Sequence, residues 1–223
     1  ISAFDRVLCT IPFKGQVLNQ TSAFWFDKTK KIVENHVIDV PDLNVMIVKE
    51  CKPYPVEMVV RGYITGVTTT SAWYNYERGT RNFCGNILPE GLRKNQKFDK
   101  PIITPSTKAM HGHDESISGE DVVKRGLVDE KTYKKMKNAA LALFDFGTNL
   151  VAKNNLILVD TKYEFGDLNG ELVLIDEIHT PDSSRFWIKD TYAELFSKGK
   201  EPQKLDKEYV RQWLANQGFV GDG

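Results

Sequence analysis

The segment Asp160-Thr161-Lys162-Tyr163-Glu164-Phe165-Gly166 alternates charged and uncharged side chains. If the segment is a strand, Asp160, Lys162 and Glu164 project from one face. Carboxylates this close to a core are costly unless a cation neutralises them, and Mg²⁺ prefers such oxygen ligands. The pattern therefore indicates either a magnesium and phosphate site or a solvated strand face on which Lys162 is the counter-ion.

A further carboxylate, Asp176, follows on the return strand of a predicted hairpin. The strands would cover residues 156–165 and 171–178, and the turn would lie within Gly166-Asp167-Leu168-Asn169-Gly170. Asp176 would then come close to the charged face and could lie directly across from Asp160.

Several segments have the composition of anion-binding sites. Residues 180–187 place a carboxylate, hydroxyls and the Arg185 guanidinium in one turn, and Arg offers a planar fork that matches phosphate or carboxylate. Residues 104–108 combine hydroxyls with Lys108, and Arg61 stands beside Gly62. The turn alone could merely cap a helix. Together, the segments suggest that a phosphorylated substrate and a nucleotide bind at one site.

Two short motifs favour structural interpretations. Asp145-Phe146-Gly147 spells a kinase metal-binding triplet, but no H-R-D-x-x-x-x-N catalytic loop precedes it and the triplet falls in a predicted helix. His111-Gly112-His113-Asp114 offers possible metal ligands, yet no third and fourth ligand follow at a zinc-site spacing. A ligand-contacting polar loop that uses Asp114 is the favoured interpretation of the second motif.

Composition excludes several classes of protein. The chain has 223 residues, 41% hydrophobic and 27% charged, which argues against disordered, collagen-like and coiled-coil proteins. Thirty basic and thirty acidic residues give a net charge of zero, so no global field attracts nucleic acid or an anionic membrane. Three cysteines without a C-x-x-C pair (Cys9, Cys51 and Cys84) predict reduced, buried thiols in the cytosol.

The elements that must position these groups begin with strands and continue with helices. Up to about residue 60 the pattern predicts strands and one helix near residues 21–31, whereas residues 61–115 predict a polar loop region that holds a site. Ser118 and Asp129 are predicted N-caps. The second would open a long helix buried at Tyr133, Met136, Ala140, Leu143, Phe144, Gly147 and Val151, and Asp206 would open a last helix that ends at Gly218.

These segments, in this order, resemble the SAICAR synthetase (phosphoribosylaminoimidazole-succinocarboxamide synthase) family of purine biosynthesis. The resemblance runs from Ile1 to about Gly218, and its two long motifs, at 160–166 and from Asp176 to Trp187, are highly specific. The other matching segments are Ser2-Ala3-Phe4-Asp5, Arg61-Gly62-Tyr63-Ile64-Thr65-Gly66, Leu88-Pro89-Glu90-Gly91-Leu92, Thr104-Pro105-Ser106-Thr107-Lys108 and His113-Asp114.

The resemblance implies an α+β fold with a small N-terminal antiparallel β domain and a larger α/β domain similar to those of ATP-grasp enzymes and kinases. We expect residues 1–60 to be the remainder of the nucleotide-binding β domain and residues 61–223 to be the catalytic and substrate-binding domain. ATP would lie between the domains, with adenine near backbone groups from Lys52 to Glu57.

The implied activity is an ATP-dependent carbon–nitrogen ligase. It would join L-aspartate to carboxyaminoimidazole ribotide (CAIR) through an acyl phosphate. ATP and Mg²⁺ would be required, the partners would be these small molecules rather than nucleic acid or membrane, and the enzyme would be a cytoplasmic monomer or small homo-oligomer.

The resemblance also implies roles for individual residues. Glu164 and Asp176 would hold Mg²⁺ with the nucleotide, and Asp160 and Lys162 would lie at the reacting phosphate. Lys108 and Asp114 would lie near the imidazole or the incoming aspartate. The residues expected to bind the ribotide are Arg61, Ser71, Ser184 and Arg185, with Asp5 as a further candidate.

Two features depart from the family pattern. Members carry a strand-turn-strand with a Gly and a Lys over the ATP phosphates before the Ser-Ala-Phe-Asp segment, and this chain starts at Ile1 without it, so we expect a fragment. Many members have Ser directly after Thr-Gly, whereas Val67-Thr68-Thr69-Thr70 precedes Ser71 here. A kinase-like phosphotransferase and a regulatory nucleotide-binding module remain as alternatives to the ligase.

Overall fold

The computed structural model describes residues 2–3, 6–7, 10–108, 115–205, 213 and 216–218. The elements in chain order are β1 (Ser2–Ala3), β2 (Arg6–Val7), α1 (Lys14–Thr29), β3 (Val37–Asp42), β4 (Val45–Val48), β5 (Lys52–Ile64), α2 (Ala72–Glu77), β6 (Asn82–Phe83), β7 (Asn86–Ile87), β8 (Gln96–Ile103), β9 (Ser106–Thr107), α3 (Gly119–Lys124), α4 (Glu130–Val151), β10 (Leu156–Leu168), β11 (Glu171–Ile175), β12 (Ser184–Ile188) and α5 (Lys189–Ser197).

The largest sheet in the described part of the chain is antiparallel and has six strands. Its main path is β11-β10-β5-β8, with β12 also paired to β10 and β9 paired to β5. Strand β10 pairs with β5 along one edge, and along its other edge it pairs with β12 over residues 156–161 and with β11 over 164–168. The loop at residues 176–183 therefore runs beside the middle of β10.

The hairpin of β10 and β11 confirms the predicted pairing but not its limits. Leu168 pairs with Glu171, so the turn is the dipeptide Asn169-Gly170, with φ values of 56° and 89°. Such positive φ at both positions is the two-residue hairpin geometry that Asn-Gly favours. The return strand ends at Ile175 rather than at residue 178, because the next residue, Asp176, has a φ of 64°.

Helix α4 covers the sheet. Asp129 caps it, since its side chain accepts a hydrogen bond of 2.9 Å from the backbone N–H of Thr132. The predicted apolar stripe of α4 is buried apart from the half-buried Tyr133, and it packs in one core with β5, β10 and Trp25 and Phe26 of α1. Ser118 caps α3 in the same way, through Asp121.

Several predicted boundaries differ from the structure. Helix α1 begins at Lys14, seven residues before the predicted start. The sequence did not reveal this start because Phe13, at the N-cap position, has no side chain that can cap a helix. Residues 61–115, predicted as loop, contain one helix and several short strands. Strand β5 runs without a break through residue 60, and the division into two domains stays a prediction.

The described residues also bear on the cysteines and the chain end. Cys51 and Cys84 are free but only half-buried, in contrast to the predicted full burial, and Cys9 lies outside the residues whose side chains are described. Most of the predicted helix at 206–218 likewise lies outside the described residues. None of the helices in the described ranges is both long and apolar enough to cross a membrane.

Candidate active site

Asp160 lies between two arginines from neighbouring strands. In the sheet register it is the partner of Arg61 on β5 and of Arg185 on β12. Nη1 of Arg185 donates a hydrogen bond of 2.7 Å to Oδ2 of Asp160, and Nη1 of Arg61 lies 3.6 Å from the same oxygen. The side chains of Asp160 and Arg61 are only 7% and 8% exposed. One buried carboxylate therefore orients both guanidinium groups.

Arg61 is held by two further hydrogen bonds. Its Nε donates to Oγ1 of Thr104 at 2.8 Å, and its Nη2 donates to the carbonyl oxygen of Thr70 at 2.9 Å. Burial lowers the pKa of Arg61 and the charge of Asp160 raises it, but a guanidinium stays protonated in proteins. Arg61 is thus a fixed positive charge, oriented in part by the loop at residues 67–70.

The two serines expected to bind the ribotide lie in different places. Ser71 is buried and its hydroxyl lies 2.7 Å from that of Thr68, while the hydroxyl of Ser184 donates to that of Thr161 at 2.7 Å. A Cβ added to Gly66 would collide with the Ser71 side chain and lie 3.4 Å from Nη2 of Arg185. Ser184 pairs with Thr161 in the register and is hydrogen bonded to it, so its side chain lies on the opposite face of the sheet from Asp160. We call Arg61, Ser71, Asp160 and Arg185 the arginine cluster. Hydroxyl and guanidinium groups in this arrangement can bind a phosphate.

A second cluster lies further along β10. Nζ of Lys162 donates to Oε1 of Glu164, lies 3.0 Å from Oδ2 of Asp176 and is 3.4 Å from Oε1 of Glu57. Nζ of Lys108 donates to the other oxygen of Glu164 at 2.5 Å. We call Glu57, Lys108, Lys162, Glu164 and Asp176 the lysine–carboxylate cluster. It joins five charged side chains from four separate segments of the chain.

The charges of this cluster stabilise one another. Burial lowers the pKa of Lys162, but the carboxylates of Glu57, Asp176 and Glu164 outweigh burial and raise it above its usual value. Burial likewise raises the pKa of Glu164, yet the charge of Lys162 and hydrogen bonds from Lys108 and Lys162 lower it to about 2. Both groups are therefore charged at neutral pH.

Glu164 and Asp176 supply the donor type that Mg²⁺ prefers. Magnesium is commonly bound by one or two carboxylates, with phosphates and water as the remaining ligands. The two carboxylates meet at Lys162, so they fit this pattern. Within the described ranges, no set of three or more His, Cys, Asp or Glu side chains is arranged to hold a metal. A magnesium ion held by Glu164 and Asp176 would therefore take its remaining ligands from phosphate and water.

The structure corrects the predicted partner of Asp160. Asp176 was expected near the charged face and does contact Lys162, but it does not lie across from Asp160. Arg61 and Arg185 occupy the positions on either side of Asp160. The hairpin turn is shorter than predicted and the return strand ends earlier, which places Asp176 beside the middle of β10 instead.

The turn that follows Asp176 has its own hydrogen bonds. The buried Thr180 donates to Oε2 of Glu177, and its hydroxyl accepts from the backbone N–H of Asp182 and of Ser183 at 3.2 and 3.1 Å. Asp182 does not join the arginine cluster, because its carboxylate pairs with Lys14 of α1 at 2.5 Å. Sequence reasoning missed Lys14, since nothing local signals a contact 168 residues away.

A cavity of about 420 Å³ opens beside the start of β5. It is lined by Lys52, Pro53, Tyr54, Pro55, Leu127 and Asp167. Lys52 lines this cavity, and the adenine site expected between Lys52 and Glu57 stays a prediction. Glu57 is not among the lining residues, and its carboxylate is in the lysine–carboxylate cluster instead. Glu57 pairs with Glu164 in the sheet register. The sequence could not show that Glu57 belongs to the cluster, because this depends on which strands pair.

Some predicted residues cannot be placed. The side chain of Asp5 and the segment His111-Gly112-His113-Asp114 lie outside the described residues, so their predicted roles remain predictions. Asp145-Phe146-Gly147 lies within α4, as predicted, and not in a kinase-type loop.

Comparison with known proteins gives consistent matches. The profile of the SAICAR synthetase family matches residues 1–221. The phosphoribosylaminoimidazole-succinocarboxamide synthase of Vigna aconitifolia, described as chloroplastic, is 53% identical over 96% of this chain, which spans 62% of that relative's length. The SAICAR synthase of Saccharomyces cerevisiae in complex with SAICAR has a TM-score of 0.85 at 33% identity, covering 100% of this chain and 78% of that one. A SAICAR synthetase in complex with ADP has a TM-score of 0.72 at 28% identity, covering 91% of this chain and 75% of that one.

Proposed function

The chain belongs to the SAICAR synthetase family, and from that premise we propose that it is the main part of an ATP-dependent ligase that joins L-aspartate to the carboxylate of CAIR. The observation that carries the proposal is the placement of the two clusters on one strand, β10. The arginine cluster suits a phosphorylated substrate, and the lysine–carboxylate cluster suits a nucleotide phosphate.

The reaction needs ATP because a carboxylate is a poor acyl electrophile. The γ-phosphoryl group would be transferred to the CAIR carboxylate, which releases ADP and forms an acyl phosphate. The amine of aspartate would then attack the acyl carbon, displace phosphate and lose a proton to form the amide. In phosphoryl transfer, the protein mainly positions the reactants and neutralises the charge that spreads over the phosphate oxygens.

The lysine–carboxylate cluster is our candidate for the site of phosphoryl transfer. Lys162 would place its ammonium group at the transferring phosphate, and Lys108 would support the incoming carboxylate. Glu164 and Asp176 would hold Mg²⁺, which when bound would neutralise phosphate charge. Since Lys162 already contacts both carboxylates, it also limits their mutual repulsion before any ligand binds.

The arginine cluster is our candidate for binding the ribotide phosphate. Arg185 is the more accessible of its two arginines, with its side chain 20% exposed, and Ser71 would add a hydroxyl group. Asp160 was expected at the reacting phosphate. Its contacts favour a different role, in which it orients Arg61 and Arg185 without touching the substrate.

The cavity beside Lys52 is our candidate for the adenine site. The ADP bound to a structural relative supports a nucleotide requirement, and the SAICAR bound to the yeast relative supports small-molecule partners. We also propose the two domains at residues 1–60 and 61–223, a monomer or small homo-oligomer, and a cytoplasmic location.

A coupled assay of ADP release tests the proposed function. The purified protein is incubated with Mg²⁺ and ATP, with CAIR alone, with aspartate alone and with both. Release that needs both substrates supports the ligase. Equal release with CAIR alone would instead indicate a kinase-like phosphotransferase, and no release under any condition from the full-length protein would support a regulatory nucleotide-binding module.

A further inference from the structure

A buried pair, Tyr163 and His179, lies beneath the lysine–carboxylate cluster. The Tyr163 hydroxyl is hydrogen bonded to Nε2 of His179 at 2.6 Å, and the two residues are 0% and 1% exposed. Burial raises the pKa of Tyr163 and lowers that of His179 to about 3, so both side chains are neutral at neutral pH. Neither side chain can reach a substrate at the surface.

Tyr163 lies between two members of the cluster along β10. Successive side chains of a strand point to opposite faces, so Lys162 and Glu164 project to the cluster while Tyr163 projects into the core. Its hydroxyl therefore reaches the loop at residues 176–183 from the opposite side of the sheet.

His179 lies in that loop, three residues after Asp176. Both residues have left-handed backbone conformations, with φ of 50° and 64°, which are unfavourable for residues other than glycine. Contacts elsewhere must therefore hold this conformation. Asp176 is attached to β10 through Lys162 on one face, and His179 is attached to it through Tyr163 on the other.

The imidazole ring is enclosed on its remaining sides. Trp25 of α1 meets it edge-on, with ring centroids 4.5 Å apart. Gly147 of α4 lies against it so closely that an added Cβ would collide with the ring. Nδ1 of His179 is buried without a partner among the described residues, so the hydrogen bond to Tyr163 is the ring's polar attachment within the part of the chain that the structure describes.

We propose that His179 is a positioning residue, which the Tyr163 hydroxyl and the Gly147 surface hold in place so that the loop presents the Asp176 carboxylate to Lys162 and Glu164. This inference rests on the proposed function for its kinetic consequence. The anchoring of the loop does not depend on which reaction the cluster performs.

Tyr163→Phe tests the hydrogen bond with little change in volume, and Gly147→Ala tests the ring position while both hydrogen-bonding groups remain. Tyr192→Phe is the matched control, because it removes a hydroxyl that donates to the carbonyl of Asn95 at 2.8 Å, away from the cluster. We expect both test variants to lower kcat at least tenfold and to raise the Mg²⁺ concentration for half-maximal rate, with the KM for CAIR changed less than twofold. The control should leave all three quantities unchanged.

Two further measurements do not require turnover. Calorimetric titration with ADP should show at least fivefold weaker binding to Tyr163→Phe in the presence of Mg²⁺ and equal binding in EDTA. Hydrogen exchange of residues 176–183 should be at least tenfold faster in both test variants than in the parent protein.

The outcomes separate the positioning role from the proposed function. A parent protein without aspartate-dependent ADP release would refute the function, while Mg²⁺-specific weakening of ADP binding together with faster loop exchange would still support the anchor. Faster exchange of residues 176–183 with unchanged ADP binding would mean that the Tyr163–His179 pair only stabilises the loop, and this would overturn the proposal. Unchanged exchange in both test variants would also overturn it.

Discussion

The guanidinium group of Arg185 and the carboxylate of Asp160 are joined by a 2.7 Å hydrogen bond between paired positions of neighbouring strands. The Asp160 side chain is almost fully buried, and Arg61 lies on its other side. Removing one member of a buried ion pair leaves the other charge uncompensated, which usually costs more than the pair itself contributes. The carboxylate therefore controls both the stability and the geometry of the arginine cluster.

We predict that Asp160→Asn weakens both stability and CAIR binding. The free energy of unfolding should fall by about 3 kcal/mol, the usual loss when one partner of a buried pair is removed. The KM for CAIR should rise at least tenfold because the two guanidinium groups then repel, whereas ADP binding should change little. Urea unfolding and steady-state kinetics measure these effects.

The control for this change is Glu90→Gln, which neutralises an exposed carboxylate paired with Arg81 at 2.7 Å. Exposed ion pairs contribute little to stability because water screens them, so this variant should unfold nearly as the parent does. Equal losses in the two variants would contradict the buried role of Asp160.

Arg185→Lys should not behave as a conservative change. A lysine ammonium cannot reproduce the planar fork that bonds Asp160 and leaves donors for a phosphate. We expect weaker CAIR binding by calorimetry, by at least about tenfold as for the loss of one charge-assisted hydrogen bond, with ADP binding intact. Equal weakening of both ligands would place Arg185 between them, and no change in either would leave it a structural residue.

Glu164→Gln and Asp176→Asn should each lower kcat by about two orders of magnitude, the scale typical for loss of an electrostatic group at a reacting centre. Each variant should also require more Mg²⁺ for half-maximal rate. Glu171→Gln, an exposed position at the start of β11, is the control and should keep the parent values. Near-parental activity of either test variant at ordinary Mg²⁺ would rule out the metal assignment.

Glu164 should also make stability depend on pH. Its pKa falls from 4.5 to about 2 on folding, so the stabilising effect is complete above pH 4.5 and disappears as pH falls toward 2. Glu164→Gln should thus be less stable than the parent at pH 7, and the difference should shrink below pH 4.5. Urea unfolding at pH 7, 4 and 3 measures it. A difference that stays constant over this range would contradict the ionised state of Glu164 in the fold.

The charged face of β10 could be predicted because its signal is local. Alternation places Lys162 and Glu164 on one side whatever the partner strands are, and Asn169-Gly170 marks the hairpin that brings Asp176 near. The caps at Ser118 and Asp129 were confirmed for the same reason, since each depends on a residue three positions away.

The partners of Asp160 could not be predicted, because they depend on which strands pair and in what register. Arg61 and Arg185 lie 99 and 25 residues from Asp160 in the chain, and no local pattern specifies that β12 returns to the edge already used by β11. Similarly, the contact of Lys14 with Asp182 forms only after α1 packs on the sheet. Long-range pairing thus determined the contacts of Asp160 that the sequence alone did not predict.

Strand β10 also fixes the backbone distance between the two clusters. Asp160 and Glu164 are four residues apart on it, and at about 3.3 Å per residue their Cα atoms are separated by about 13 Å. Covalent geometry sets this length, so no side-chain rearrangement can change it greatly. Inserting one residue between the two positions would turn one cluster to the opposite face of the sheet. The strand therefore fixes the distance between the two clusters as well as the face on which they lie.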